Sequence, residues 1–429
     1  MTSIPTRLLL LLFIITIPVS AEEFSFDASE YEKKTFDFSG YIEGKQEAIQ
    51  LQPERPVYTF IYPDEPPRHW LNRSTGTVDL TGKINMTNVV TDIHGQAVYA
   101  EDTFVTTKEY DHIMDGGIRW SPATYYSLDV GKRVQRWGKG YAWNPVGFIE
   151  RPKDPADPQT VREGFNMLSM EWTQTFNGNI RTLTLTPVLV PTYNNLNPDF
   201  GNGKYLNPAV KLYLLAWDTD IDLLWLSKGA RAQSIGFDFS RNISSELEIH
   251  GEWAHQYGFE KNTLASSGIT SLSADNPDSA LLGIRYLTAH EVTWIAEYYH
   301  NGRGYNTTEL NTFYNFEDQA VRTDAIAAQQ QKAKQLMQSG YSKANPGENY
   351  FYLRASANEP FDWLYTTPAI TIISHLDDGS FQVTPEISYT GIPNTEFRAR
   401  AMLLSGNQHT EFGEKISRQR FEIYVRYLF

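Results

Sequence analysis

The chain ends Arg420-Phe421-Glu422-Ile423-Tyr424-Val425-Arg426-Tyr427-Leu428-Phe429. Side chains alternate across an extended strand, so Phe421, Ile423, Val425, Tyr427 and Phe429 share one face while Arg420, Glu422, Tyr424 and Arg426 share the other. One face is apolar and the other charged. The same pattern sets Val78, Leu80, Ile84 and Met86 against Asp79, Thr81, Lys83 and Asn85, and Leu247, Ile249 and Trp253 against Glu246, Glu248, His250 and Glu252. Further candidates lie near 36 to 48, 96 to 105, 113 to 121, 124 to 136, 166 to 176, 180 to 190, 209 to 217, 220 to 227, 232 to 241, 280 to 288, 291 to 300, 349 to 358, 366 to 375, 380 to 389 and 395 to 404. The total is about 18 strands, and boundary error leaves a count of 16 open.

The connections between these segments alternate in length. Long ones span 49–76, 137–165, 191–208, 256–279, 301–348 and 405–419; short ones are Thr91 to Gly95, Ser121 to Ala123, Asn177 to Asn179, Asp218-Thr219 and Arg241 to Ile243. Such alternation is what a transmembrane barrel requires, with long loops outside and tight turns inside. Glu317 to Gln338 reads as a helix within the longest loop.

A soluble sandwich also alternates, so the solvent has to be argued separately. Segments of about ten tilted residues match the apolar band of an outer-membrane barrel. Trp120, Trp137, Trp172, Trp217, Trp253, Tyr298 and Tyr427 lie toward segment ends, as interfacial aromatic girdles do. Closing the sheet leaves no unpaired edge in lipid. These features point to an all-β chain forming one transmembrane antiparallel barrel.

Composition narrows the function. With no cysteine there is no disulfide scaffold, thiolate zinc site or cysteine nucleophile. A net charge of −14 argues against a nucleic-acid partner, which would need a basic surface. Arg7, the apolar run Leu8 to Ile15 and Ala21 at its end read as a cleaved export signal over residues 1–21, leaving 22–429 as the barrel. No phosphate loop, zinc helix or nucleophile elbow occurs, and no cofactor is expected. His250, His255 and His300 lie near Glu252 and Glu297 and keep a barrel hydrolase open as an alternative. Asp154 and Asp157 are too few for a calcium site.

If apolar faces meet lipid, the opposite faces line a pore. Asp222, Asp238, Glu246, Glu248, Glu252 and Glu297, opposed by Arg285 alone, would form an acidic arc needing solvation or a cation to offset it. Lys83, Arg119, Arg133, Arg398, Arg400 and Arg426, mixed with Asp79, Asp115, Asp129 and Glu422, would form a basic-leaning wall. Arg136 is expected to join them. Strict alternation puts Lys132 on the lipid face, where a charge is costly, so a bulge is expected near Gly131.

The signal, the alternation and the terminal Phe429 together resemble Gram-negative outer-membrane β-barrels. Gly117-Ile118-Arg119-Trp120-Ser121-Pro122, followed by Leu128 through Gly138 with its Gly131-Lys132-Arg133 and Trp137-Gly138, looks like a strand pair of porin-like and alginate-export-type barrels. The resemblance implies a channel for hydrophilic, anionic or saccharide solutes, contact with lipid and lipopolysaccharide, and recognition of Phe429 by the barrel-assembly machinery; oligomers are compatible with it. It also implies that the third outer loop folds inward to set a constriction, with Lys139, Glu150, Arg151, Lys153, Asp154 and Asp157 as candidates. A barrel plugged by its loops, acting in adhesion or structure, is the other alternative.

Overall fold

The computed structural model describes residues 34–104, 107–193, 195–322, 324–341 and 343–429. The export segment expected at 1–21 lies outside the described residues. Eighteen strands form one antiparallel sheet that closes on itself. The first are β1 (Phe36–Leu51), β2 (Trp70–Asn85), β3 (Val89–Asp102), β4 (Thr107–Ala123), β5 (Tyr126–Arg133) and β6 (Phe165–Thr175). Next come β7 (Ile180–Leu189), β8 (Pro208–Ala216), β9 (Thr219–Leu226), β10 (Gln233–Asn242) and β11 (Leu247–Tyr257). A separate hairpin, β12 (Phe259–Leu264) with β13 (Thr270–Asp275), stands in an outer loop. The barrel resumes with β14 (Asp278–Leu287), β15 (Val292–His300), β16 (Asn349–Ala357) and β17 (Thr366–His375). It finishes with β18 (Phe381–Ile392), β19 (Thr395–Ser405) and β20 (Ser417–Leu428).

Each barrel strand pairs with its sequence neighbours, and β1 closes the ring by pairing with both β2 (Ile42↔Val78) and β20 (Gly44↔Val425). Closure gives every barrel strand a partner on both sides, which a bilayer demands. Ile42, Val78, Leu80, Ile118, Phe237, Leu282 and Ile423 project outward and are exposed, whereas Asp79, Asp129, Asp238, Glu297 and Glu422 project inward and are buried. The outer face is therefore apolar and the inner face charged, an inside-out distribution suited to lipid.

Several local expectations differ from the structure. Thr91 to Gly95 lies inside β3 and Ser121 to Ala123 inside β4, the turns being 86–88 and 124–125. The polar residues Asp92 and His94 resemble a turn in sequence because they face inward and pair there. Trp137 is in no girdle, since it lies beyond β5 and is fully buried within the barrel. In place of one helix over 317–338 there are two, α2 (Thr307–Ala320) and α3 (Ala327–Leu336). The first begins at Asn306, whose side chain accepts the Glu309 N–H while Glu309 accepts the Asn306 N–H, a reciprocal cap. A further short helix, α1 (Pro56–Ile61), lies in the first outer loop.

Lys132 remains on the outer face without a bulge at Gly131. The register runs unbroken through Gly117↔Gly131 and Gly116↔Lys132, so alternation keeps Lys132 opposite to Arg133. A Cβ on Gly131, whose φ is +148°, would come within 2.5 Å of Gly117 Cα, so two glycines are what let β4 and β5 approach here. The Lys132 ammonium is met by Glu163, which also pairs with Arg151 at 3.2 Å. Lys132 borders an outward apolar groove with Ile93 and Ile118. Glu163→Ala is thus expected to strand a charge at the lipid face and lower stability by about 2 kcal/mol. Lys132→Met should be neutral or stabilising, because Glu163 keeps Arg151. Urea unfolding followed by tryptophan fluorescence checks both, and equal destabilisation by the two variants would contradict the outward placement.

Candidate functional site: an inward-folded loop and the walls that face it

At Arg133 the chain leaves the wall, and it returns at Gly164, whose N–H donates to the Met114 carbonyl of β4 at 2.8 Å. The intervening loop lies inside the barrel. Two carboxylates on the inner face hold its backbone. Glu252 of β11 accepts from the Lys139 and Gly140 N–H groups at 2.6 Å and from Val146 N–H at 3.3 Å. Glu297 of β15 accepts from Ala142 N–H at 2.8 Å and from Tyr141 N–H. Lys139 Nζ adds ion pairs to Asp222 at 2.9 Å and Asp238 at 3.8 Å. Burial opposes charge on Lys139, but Asp222 and Asp238 hold its ammonium above its ordinary range.

Apolar packing fixes the rest of the path. Trp137, Val146, Phe148 and Ile149 cluster with Met167, Val188, Leu224 and Ala254 on the inner faces of β6, β7, β9 and β11. Ala142 and Trp143 cluster with Leu281, Ile295, Tyr350 and Ile373 on β14 to β17, where Trp143 stacks on Tyr299 with centroids 5.2 Å apart. Arg231, in the outer connection after β9, donates to the Phe148 carbonyl at 2.6 Å and the Phe200 carbonyl at 2.7 Å, so it ties the loop to its neighbour. Burial, with Arg303 and Arg151 nearby, lowers its guanidinium to about 10.

The constriction candidates divide. Glu150 is buried; its carboxylate accepts from Trp137 N–H and pairs with Arg162 at 2.6 Å, while burial pushes its carboxyl up against those partners. Arg151 pairs with Glu163 and, at 2.9 Å, with Asp199. The Lys153 ammonium donates to the Gly140 carbonyl, and burial pushes it down against the pull of Glu252 and Glu150. These three brace the loop itself. Asp154 is exposed, its carboxylate accepting the Ala156 N–H at 2.9 Å and its carbonyl the Asp157 N–H at 3.0 Å. Asp157 reaches Arg400 of β19 at 3.0 Å, which carries the loop's contacts past β17 toward the far wall.

That far wall is a lattice of ion pairs. Arg398 pairs with Glu396 at 2.6 Å, Arg426 with Glu43 at 2.7 Å, Arg354 with Glu386 at 3.2 Å, and Arg400 with Glu422. Arg133 bridges Asp92 and Asp129, and Arg119 reaches Asp129 at 2.9 Å. Lys83 faces inward and is exposed. His94 lies between Asp79 at 2.9 Å and Asp115 at 3.0 Å. Arg136 is exposed beyond the end of β5, outside this lattice.

The acidic arc is only partly as expected. Asp222, Asp238, Glu252 and Glu297 are brought together beneath the loop, whose N–H groups and Lys139 neutralise them. Glu248 faces inward and accepts from Ser240 Oγ at 2.9 Å. Glu246 does not belong to the arc: it sits in the exposed turn before β11 and accepts from Ser244 Oγ at 2.9 Å. Residues at the foot of a strand share its parity without reaching its inner face. The histidines are dispersed, His250 on Glu297 at 2.9 Å, His255 on Asp278 at 3.0 Å and His300 on Asn349 at 2.9 Å. Among the described residues no group of three acidic or histidine side chains could hold a metal ion.

Parity along 349–358 and 380–389 leads to Arg354 and Glu386. His94 is hidden by its turn-like neighbours, and Arg231, in a loop, has no periodicity to reveal it.

No protein-family model matches the chain, and no curated protein matches it. Solved structures do. Pseudomonas aeruginosa OccK11 (OpdR) superposes with a TM-score of 0.50 at 9% identity, covering 91% of this chain and 95% of that one. A triple mutant of Rhodopseudomonas blastica porin gives 0.43 at 9% identity, covering 92% of this chain and all of that one. At such identity the likeness is one of architecture: the chain is a closed 18-stranded antiparallel barrel with a porin-like fold.

Proposed function

We propose that the protein is an outer-membrane channel that passes hydrophilic solutes, and that the loop 134–164 narrows its lumen. The observation that carries this reading is the loop's position: it lies along the inner faces of β6 to β17 and reaches the ion-paired wall of β18 to β5 through Asp157 on Arg400. Paired arginines and carboxylates at the narrow side would orient charged or hydroxyl-rich solutes. An export signal over 1–21 would deliver the chain, and Phe429, whose N–H and carbonyl bond to Gly40 at 3.0 Å, would be read by the assembly machinery before closure. Lipopolysaccharide would meet the outer loops.

Single-channel current of the refolded protein in a planar bilayer under a salt gradient tests the proposal. Stepwise conductance is expected. Arg398→Ala with Arg400→Ala leaves Glu396 and Glu422 without their nearest bases and should shift the reversal potential toward cation selectivity. No current from inserted, folded protein would favour a plugged barrel. An unchanged potential in the double variant would remove these residues from the conduction path.

A further inference from the structure

On the side of the long loops, the first outer loop, the helical loop 301–348 and the segment 406–416 meet around a cavity of about 240 Å³. Glu317 of α2 lines it, is 4% exposed, and has an Oε1 with no hydrogen-bond partner among the described residues. The other carboxylates there are accounted for. Glu414 pairs with Arg55 at 3.3 Å and accepts the His409 N–H at 2.7 Å. Glu411 accepts the Tyr350 hydroxyl at 2.6 Å and lies 3.8 Å from Lys415, the one cationic side chain lining the cavity among the described residues. Neighbouring Asp318 is taken by His409 at 2.8 Å. Among the described residues Glu317 is thus left without a counter-charge. Burial first, then Glu414 and Asp318, push its carboxyl well above the usual range.

An unpartnered buried carboxyl is costly unless something pairs with it. The remaining lining narrows what that is. Tyr314, Met337 and Tyr341 also face the cavity, and Tyr341 is clamped between Tyr305 and Phe313 with centroids 3.9 and 4.3 Å away. A bare metal ion does not suit this lining, since no group of three ligands converges among the described residues. A cation with an apolar body does: a charged head for the carboxylate, and an apolar lining with room for a short chain.

We propose that this cavity binds a small primary alkylammonium ion, its head on Glu317 and its chain between Tyr314, Tyr341 and Met337. The cavity's lining residues all lie in the outer connections and none on a barrel strand. The bound ion would add a further tie between three outer loops that the Arg55–Glu414 and His409–Asp318 pairs already join.

The test is calorimetric titration of the detergent-folded full chain with n-butylammonium chloride, with n-butanol as the uncharged analogue. Saturable binding of the ammonium, none of the alcohol, and a loss of about tenfold or more in Glu317→Gln are expected. Equal binding of butanol would reduce the site to an apolar void. Absence of ammonium binding, or binding untouched in folded Glu317→Gln, would overturn the proposal. Should that variant fail to fold, the comparison of ammonium with alcohol on the unaltered protein decides by itself, and Val57→Trp, filling the cavity from another loop, should abolish binding.

Discussion

Replacing both Glu252 and Glu297 with alanine is expected to raise single-channel conductance by about twofold or more and to make the current noisy. These two carboxylates accept five backbone N–H groups of the loop from Lys139 to Val146. Leaving a buried donor unpaired costs about 1–3 kcal/mol per group, so the loop gains by moving into the lumen's water, where its donors find new partners. The apolar clusters around Phe148 and Trp143 still hold its ends, which predicts fluctuation rather than complete release. Glu252→Gln with Glu297→Gln keeps an acceptor oxygen at each position and should lie between the two. Glu248→Ala, on the same strand but without a loop contact, should behave as the unaltered protein. A double alanine variant with unchanged, quiet conductance would show that the loop does not set the current.

Gly131→Val is expected to abolish the folded barrel. The side chain would be driven into the Gly116 and Gly117 backbone of the paired strand, at a φ that a β-branched residue avoids. Overpacking and backbone strain together amount to about 3 kcal/mol or more, and they fall on the strand from which the inward loop departs. Gly44 supplies the control: it pairs with Gly76, and a Cβ there meets nothing within 4 Å, so Gly44→Val should fold normally. The retarded mobility of heated against unheated samples on detergent gels reads folding directly. A folded Gly131→Val barrel would mean that β4 and β5 can separate at this level without loss.

How much of this was legible before the fold was known differs by residue. Phe421 to Phe429 alternates because the pleat does, and that local rule suffices to identify a strand with one lipid face. Repeated through the chain, it yields the number of barrel strands and the inward parity of Asp238, Glu252, Glu297, Arg398, Arg400 and Arg426. Parity fails at strand ends, where Glu246 keeps the inward register but lies outside the wall, and Arg136, three residues past the inward Arg133, is exposed beyond β5. It also fails in β3, where inward polar residues at 91–95 imitate a turn.

The partnerships were beyond reach of any local rule. An acidic arc read from sequence calls for solvent or a cation; in the barrel it receives the N–H groups and Lys139 of a segment more than 80 residues earlier, because ring closure brings β9 to β15 opposite the point where β5 lets the chain inward. Arg400 likewise meets Asp157 only across the lumen. The sequence alone determined strand, face and solvent, since each depends on neighbours two residues away and on the apolar character of one face. Only the tertiary structure decided which charges are matched and where the loop lies, since those depend on closure of the ring and on packing between segments far apart in the chain.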